Sequence, residues 1–281
     1  MKFIYKSQSN LSSQEAHSLF MGLQDCENLL DLTIYLEQNK IFADNAKQEL
    51  NLDTNQFKFK NLQSLKIYFR YKNQIGQKWA KFLGQMLTFC SNLKTLTLDL
   101  HNNLILDQGI SYLVEGFQCC SNLTTLELFL SDNEIQDRGV QTLAIGLGSC
   151  IHLQSLNLQL NNNCISKEGG YDFCRELPKL IQLKMLTLSI YNNKIQAEGA
   201  IQIANGIKHC QNLISLNLIL DINYIDSQGA IQMVQNLSQN QNLKILHLQM
   251  DFINLNLNNY LIDITQSMIK LRLDQHKGLK K

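Results

Sequence analysis

Two hydrophobic periods alternate along this chain. In Asn122 to Cys150, NLTTLELFLSDNEIQDRGVQTLAIGLGSC, the leucines at Leu126, Leu128 and Leu130 share one face at a period of two, which predicts a β-strand led in by Leu123. Asn133 and Ile135 close that strand, and the period then changes. From Gly139 onward, Val140, Leu143, Ala144 and Leu147 follow at spacings of three and four, so they fall on one helical face. The unit reads as strand, turn, helix and return.

The same unit recurs from one end of the chain to the other. Leu93, Leu123, Leu153, Leu183, Leu213 and Leu243 stand 30 residues apart, as do Asn73, Asn103, Asn133, Asn163, Asn193 and Asn223. Each of these asparagines is followed two residues later by an isoleucine, from Ile75 to Ile225, and Gly109, Gly139, Gly169, Gly199 and Gly229 keep the same beat. A fixed period of this length predicts a solenoid, an α/β stack in which each unit buries its apolar face against its neighbours.

One continuous domain is therefore expected for the 281 residues. Residues 1–28 read as an N-terminal capping half-repeat, with Phe3 and Tyr5 alternating as a short strand. Residues 29–253 hold the repeats, and 254–281 a C-terminal cap and basic tail. The first full strand, Leu29 to Leu36, leads into a helical half from Phe42 to about Leu50 and an irregular NLDTNQF. The strand Leu62 to Phe69 carries one extra residue before Asn73, expected as a bulge or longer turn. Pro178, the only proline, falls at a helix end, where its ring does least damage. After the last strand, Leu243 to Met250, the asparagine turn is replaced, and Asn254 to Leu273 is expected to close the stack.

The unit resembles the leucine-rich repeat, L-x-x-L-x-L-x-x-N/C-x-L, and its helical, glycine-marked second half resembles the ribonuclease-inhibitor-like subclass. That resemblance implies a right-handed curved horseshoe, with a parallel sheet on the concave side and helices on the convex side. It also implies a non-enzymatic protein-binding or scaffold role, in a free protein or a subunit of a larger assembly. Proteins resembling this subclass include GTPase-activating ones, so small-GTPase regulation is the alternative, although no residue matches a motif that would carry that activity over. One departure is clear: Leu100, Leu130, Leu160, Ile190 and Leu220 insert an extra L-x step before the asparagine, which is expected to lengthen each strand by two residues. Curvature also follows from spacing alone. Strands about 4.8 Å apart and helices at least about 8 Å apart, in layers about 10 Å apart, turn the stack by roughly 18° per repeat.

Composition narrows the partners. A net charge of +1 makes no case for nucleic acid or an anionic membrane as the partner, and neither is expected. The N-terminal MKFIYKSQSN lacks the apolar run of a secretory signal, and no run of about 18 apolar residues occurs, so a cytoplasmic protein is expected. Cys90, Cys120, Cys150 and Cys210 share one slot and read as small buried side chains rather than zinc ligands or disulfides. P-loop, G-x-S-x-G, H-E-x-x-H and kinase motifs are all missing, and the six histidines are scattered, so no catalytic residue, metal or cofactor is expected.

The asparagines at the bend are expected to form a buried ladder that bonds the backbone of neighbouring turns. What remains for function is the polar phase of the strands, which would line the concave face. Its central column reads Tyr35, Tyr68, Asp99, Phe129, Gln159, Ser189, Ile219 and Gln249, and the column beside it adds Arg70, His101, Tyr191, Asp221 and Asp251, with Tyr71 nearby. Aromatic and arginine side chains are the usual anchors of interfaces. The partner-binding set is therefore Tyr35, Tyr68, Arg70, Tyr71, Asp99, His101, Phe129, Tyr191, Ile219 and Asp221, with the main contact expected in the amino-terminal half. The competing reading is that these side chains only pack across adjacent strands.

Overall fold

The computed structural model describes residues 1–7, 11–23, 25–37, 39, 41, 57–70 and 73–250. The helical half from Phe42, the NLDTNQF stretch up to Gln56, the extra residue before Asn73, the turn at Asp251 and the 254–281 cap lie outside them.

The described residues form a leucine-rich-repeat solenoid. Nine strands make one sheet, each parallel to the next and in chain order. They are β1 (Lys2–Lys6), β2 (Asp31–Tyr35), β3 (Ser64–Tyr68), β4 (Thr95–Asp99), β5 (Thr125–Phe129), β6 (Ser155–Gln159), β7 (Met185–Ser189), β8 (Ser215–Ile219) and β9 (Ile245–Gln249). The helices of the second layer are α1 (Ser13–Gly22), α2 (Gly76–Leu87), α3 (Leu106–Gln118), α4 (Asp137–Gly148), α5 (Lys167–Glu176), α6 (Gln196–Lys208) and α7 (Ser227–Ser238). Pro178 sits in a short 3-10 turn, Leu177–Lys179, that ends α5.

Strand alternation divides inside from outside. Leu96, Leu98, Leu126, Leu128, Leu156 and Leu158 are almost fully buried between sheet and helices, while Thr125, Glu127 and Phe129 between them are only half-buried. The strands start two residues later than the leucine spacing predicts, because the leading residue is held in the preceding turn. Leu123 donates its N–H to the Cys120 carbonyl at 3.1 Å, so its ladder bonds begin only at Thr124 and Thr125. At the other end the extra L-x step continues the pairing: Leu130 N–H donates to Gln159 O at 2.8 Å and Asp132 N–H to Asn161 O at 2.9 Å.

The asparagine ladder takes the form the spacing implies. Asn133 Nδ2 donates to Leu100 O at 2.8 Å in the previous turn and to Ser131 O at 3.0 Å in its own. Its Oδ1 accepts from the N–H groups of Asn103 and Ile105, both at 3.1 Å. Asn163 does the same for Asn133 and Ile135, at 3.1 and 2.9 Å. Each side chain thus satisfies backbone groups that a sharp bend inside the core would leave without partners.

The glycines let helices touch. A Cβ on Gly116 would stand 2.3 Å from the Gly84 carbonyl oxygen, so α2 and α3 meet backbone to backbone. The cysteine slot is a core slot: Cys90, Cys120 and Cys210 are nearly sealed, and their thiols point to the carbonyl four residues back in the helix. Burial pushes the Cys120 and Cys210 thiols up to about 12, which leaves them protonated and inert. All eight cysteines are free.

Candidate interaction surface

The outward strand positions fall in straight columns, because every pair of strands is in register. Lys6, Tyr35, Tyr68, Asp99, Phe129, Gln159, Ser189, Ile219 and Gln249 are successive partners across the sheet. Neighbours in such a column stand about 4.8 Å apart.

That distance brings the amino-terminal residues together. The Tyr35 and Tyr68 rings stack with centroids 4.7 Å apart and planes 5° from parallel. Lys6 Nζ lies 4.8 Å from the Tyr35 centroid, a cation–π contact that closes the stack on its outer side. Burial raises the Tyr68 phenol above its usual range, with the neighbouring Tyr35 adding to the effect.

Asp99 is fully buried and carries the next link. Arg70 Nε donates to its Oδ2 in an ion pair, and His101 Nδ1 stands 2.8 Å from its Oδ1. The His101 ring in turn stacks on Phe129, with centroids 6.0 Å apart. Asp99 therefore works from behind: it orients Arg70 and His101 and offers no surface of its own. The Asp–His contact escapes a scan for sequence motifs, yet Asp99 and His101 are two residues apart on one strand line and so share a face.

The remaining predicted residues lie elsewhere. Ile219 is three strands beyond Phe129, about 14 Å along the sheet. It stands at the end of β8, half-buried, next to buried Asp221. Tyr191, half-buried, follows β7, where its N–H donates to Asn161 Oδ1 at 2.9 Å. Tyr71 is outside the described residues. Two neighbours missing from the predicted set are exposed apolar side chains: Ile222, 44% exposed, and Tyr224, 65%. Ile222 breaks the Asn/Asp consensus of its slot, which is the sequence signal for it, whereas the slot of Tyr224 varies from turn to turn as Leu104, Glu134, Cys164 and Lys194.

Among the described residues no group of three His, Cys, Asp or Glu side chains converges to hold a metal ion, and no helix is long and apolar enough to cross a membrane. No family model matches the chain, and no curated protein matches it. Solved structures do resemble it. One described as "Leiomodin-1 Actin-Binding Site 2 (ABS2)" is 15% identical at a TM-score of 0.41, covering 74% of this chain and 97% of that one. An internalin from Listeria monocytogenes is 17% identical at 0.42, covering 83% of this chain and 65% of its own length. The tropomodulin C-terminal domain of Caenorhabditis elegans is 14% identical at 0.40, covering 57% and 92%.

Proposed function

We propose that this chain is a non-enzymatic interaction module of the ribonuclease-inhibitor-like kind, working in the cytoplasm and holding a protein partner against the open face of its sheet. The observation that supports this is the central column. Four of its outward residues, Tyr35, Tyr68, Phe129 and Ile219, are aromatic or aliphatic and only half-buried, a costly choice for a face that meets only water. The straight columns give such a partner a rigid, preorganised wall, which lowers the ordering cost of association. The centre of that wall carries the uncharged Asn157, Gln159 and Asn161, suited to hydrogen bonding with a polar rim.

Replacing Tyr68 and Phe129 together by serine tests the proposal. Affinity capture from native extract, followed by cross-linking, is expected to place the wild-type links on the strand side, and the double variant is expected to weaken them while still melting cooperatively. Links concentrated on the helices, or collapse of folding in the double variant, would overturn it.

A further inference from the structure

Comparing equivalent slots shows where this repeat departs from its own rules. At the residue before the ladder asparagine the backbone is left-handed in five successive turns, with φ of 55° at Asn102, 58° at Asp132, 53° at Asn162, 53° at Asn192 and 53° at Ile222. Asn and Asp tolerate this conformation, whereas a β-branched side chain is the type it strains most. Asn192 also donates Nδ2 to Asn162 Oδ1 at 2.9 Å, so an asparagine at position 222 would stand next in that pair. Isoleucine gives up both advantages and stays exposed, and beside it stands exposed Tyr224, left-handed at φ 58° as Leu104 and Glu134 are in the same slot of earlier turns. Neither side chain belongs to the buried core. Local strain kept without a packing return is a mark of a functional position.

Building on the protein-binding reading, we infer that Ile222 and Tyr224, with Tyr191 and Ile219 on the adjoining strand ends, form the principal contact patch, and that it takes an apolar segment of a partner protein bordered by a carboxylate. Charge selects that chemistry. The four residues are uncharged. Lys194 holds the slot of Tyr224 one turn earlier and is exposed, so a cation borders the patch on its amino-terminal side. Of the nearby carboxylates, Asp221 is buried, and Asp226 Oδ1 is turned back to accept from Gly229 N–H at 2.7 Å, capping α7. An apolar partner segment with an acidic residue beside it meets both the patch and Lys194. The amino-terminal cluster is different, since its aromatic and charged groups already engage one another.

A phage-displayed library of random dodecapeptides, selected on the purified full chain, supplies the probe. Enriched peptides, synthesised with fluorescein, are titrated by anisotropy against the wild type, Ile222→Asn with Tyr224→Asn, and Tyr68→Ser with Phe129→Ser. The expected result is an apolar consensus containing Asp or Glu. Affinity should fall at least tenfold in the Ile222/Tyr224 variant with no fall in melting temperature, and by a clearly smaller factor in the Tyr68/Phe129 variant. Loss confined to the Tyr68/Phe129 variant overturns this assignment and leaves the protein-binding reading standing. Loss in neither overturns both. No enrichment, or a basic or wholly polar consensus, overturns the assigned chemistry.

Discussion

The two ends of the inner wall differ in how far their outward side chains engage one another. Between β2 and β5 the outward side chains satisfy one another: tyrosine stacks on tyrosine, and Arg70 and His101 share the buried Asp99. The turn after β8 places Ile222 and Tyr224 in water on left-handed backbone. Aromatic content alone would favour the first region as the contact site. Exposure and strain favour the second, because binding energy comes from groups that are still unsatisfied in the free protein.

Substitutions can break this comparison, starting with the framework both regions share. Asn133→Ala removes a residue that serves four backbone groups below the first region, and Asn193→Ala removes its counterpart below the second, where Nδ2 reaches Leu160 O at 2.9 Å and Oδ1 accepts from Ile165 N–H at 3.0 Å. Each is expected to cost about 3 kcal/mol by urea denaturation, since buried backbone groups lose their partners. A large difference between the two would mean that the halves are not held alike. Asp99→Ala is expected to cost less, about 1–2 kcal/mol, because hydrogen bonds to a charged group are lost but Arg70 is partly exposed and water replaces its partner. It should leave the Ile222 patch untouched, and weakened binding there would show that the two regions are coupled. The smallest effect has the opposite sign. Ile222→Asn is expected to stabilise the fold by about 0.5–1 kcal/mol through relief of the left-handed strain, read as a rise in melting temperature; a fall would remove the argument that isoleucine is kept there at a cost.

Much of this was legible in the sequence, and where it was not there is a reason in the chain. The alternation of Leu126, Leu128 and Leu130 and the spacing of Val140, Leu143 and Leu147 announce strand and helix, since a period reports which residues share a face. The recurrence of Asn133 and its equivalents announces the ladder. The strand start at Thr125 instead of Leu123 was hidden, because a leucine packed in a turn and one in a strand leave the same apolar mark. Among the site residues, Tyr35, Tyr68 and Phe129 could be placed on the outer face by counting in twos, but not sorted into satisfied and unsatisfied groups.

By itself the sequence determined the repeat, the layer each residue enters and the columns its outward side chains form, because a strict 30-residue period leaves identical units no arrangement but stacking. Tertiary structure alone decided that Asp99 disappears beneath Arg70 and His101 while Ile222 and Tyr224 stay in water. Exposure and pairing depend on residues about 30 positions away, brought within reach only when neighbouring strands align, and on a φ angle that no side-chain pattern records.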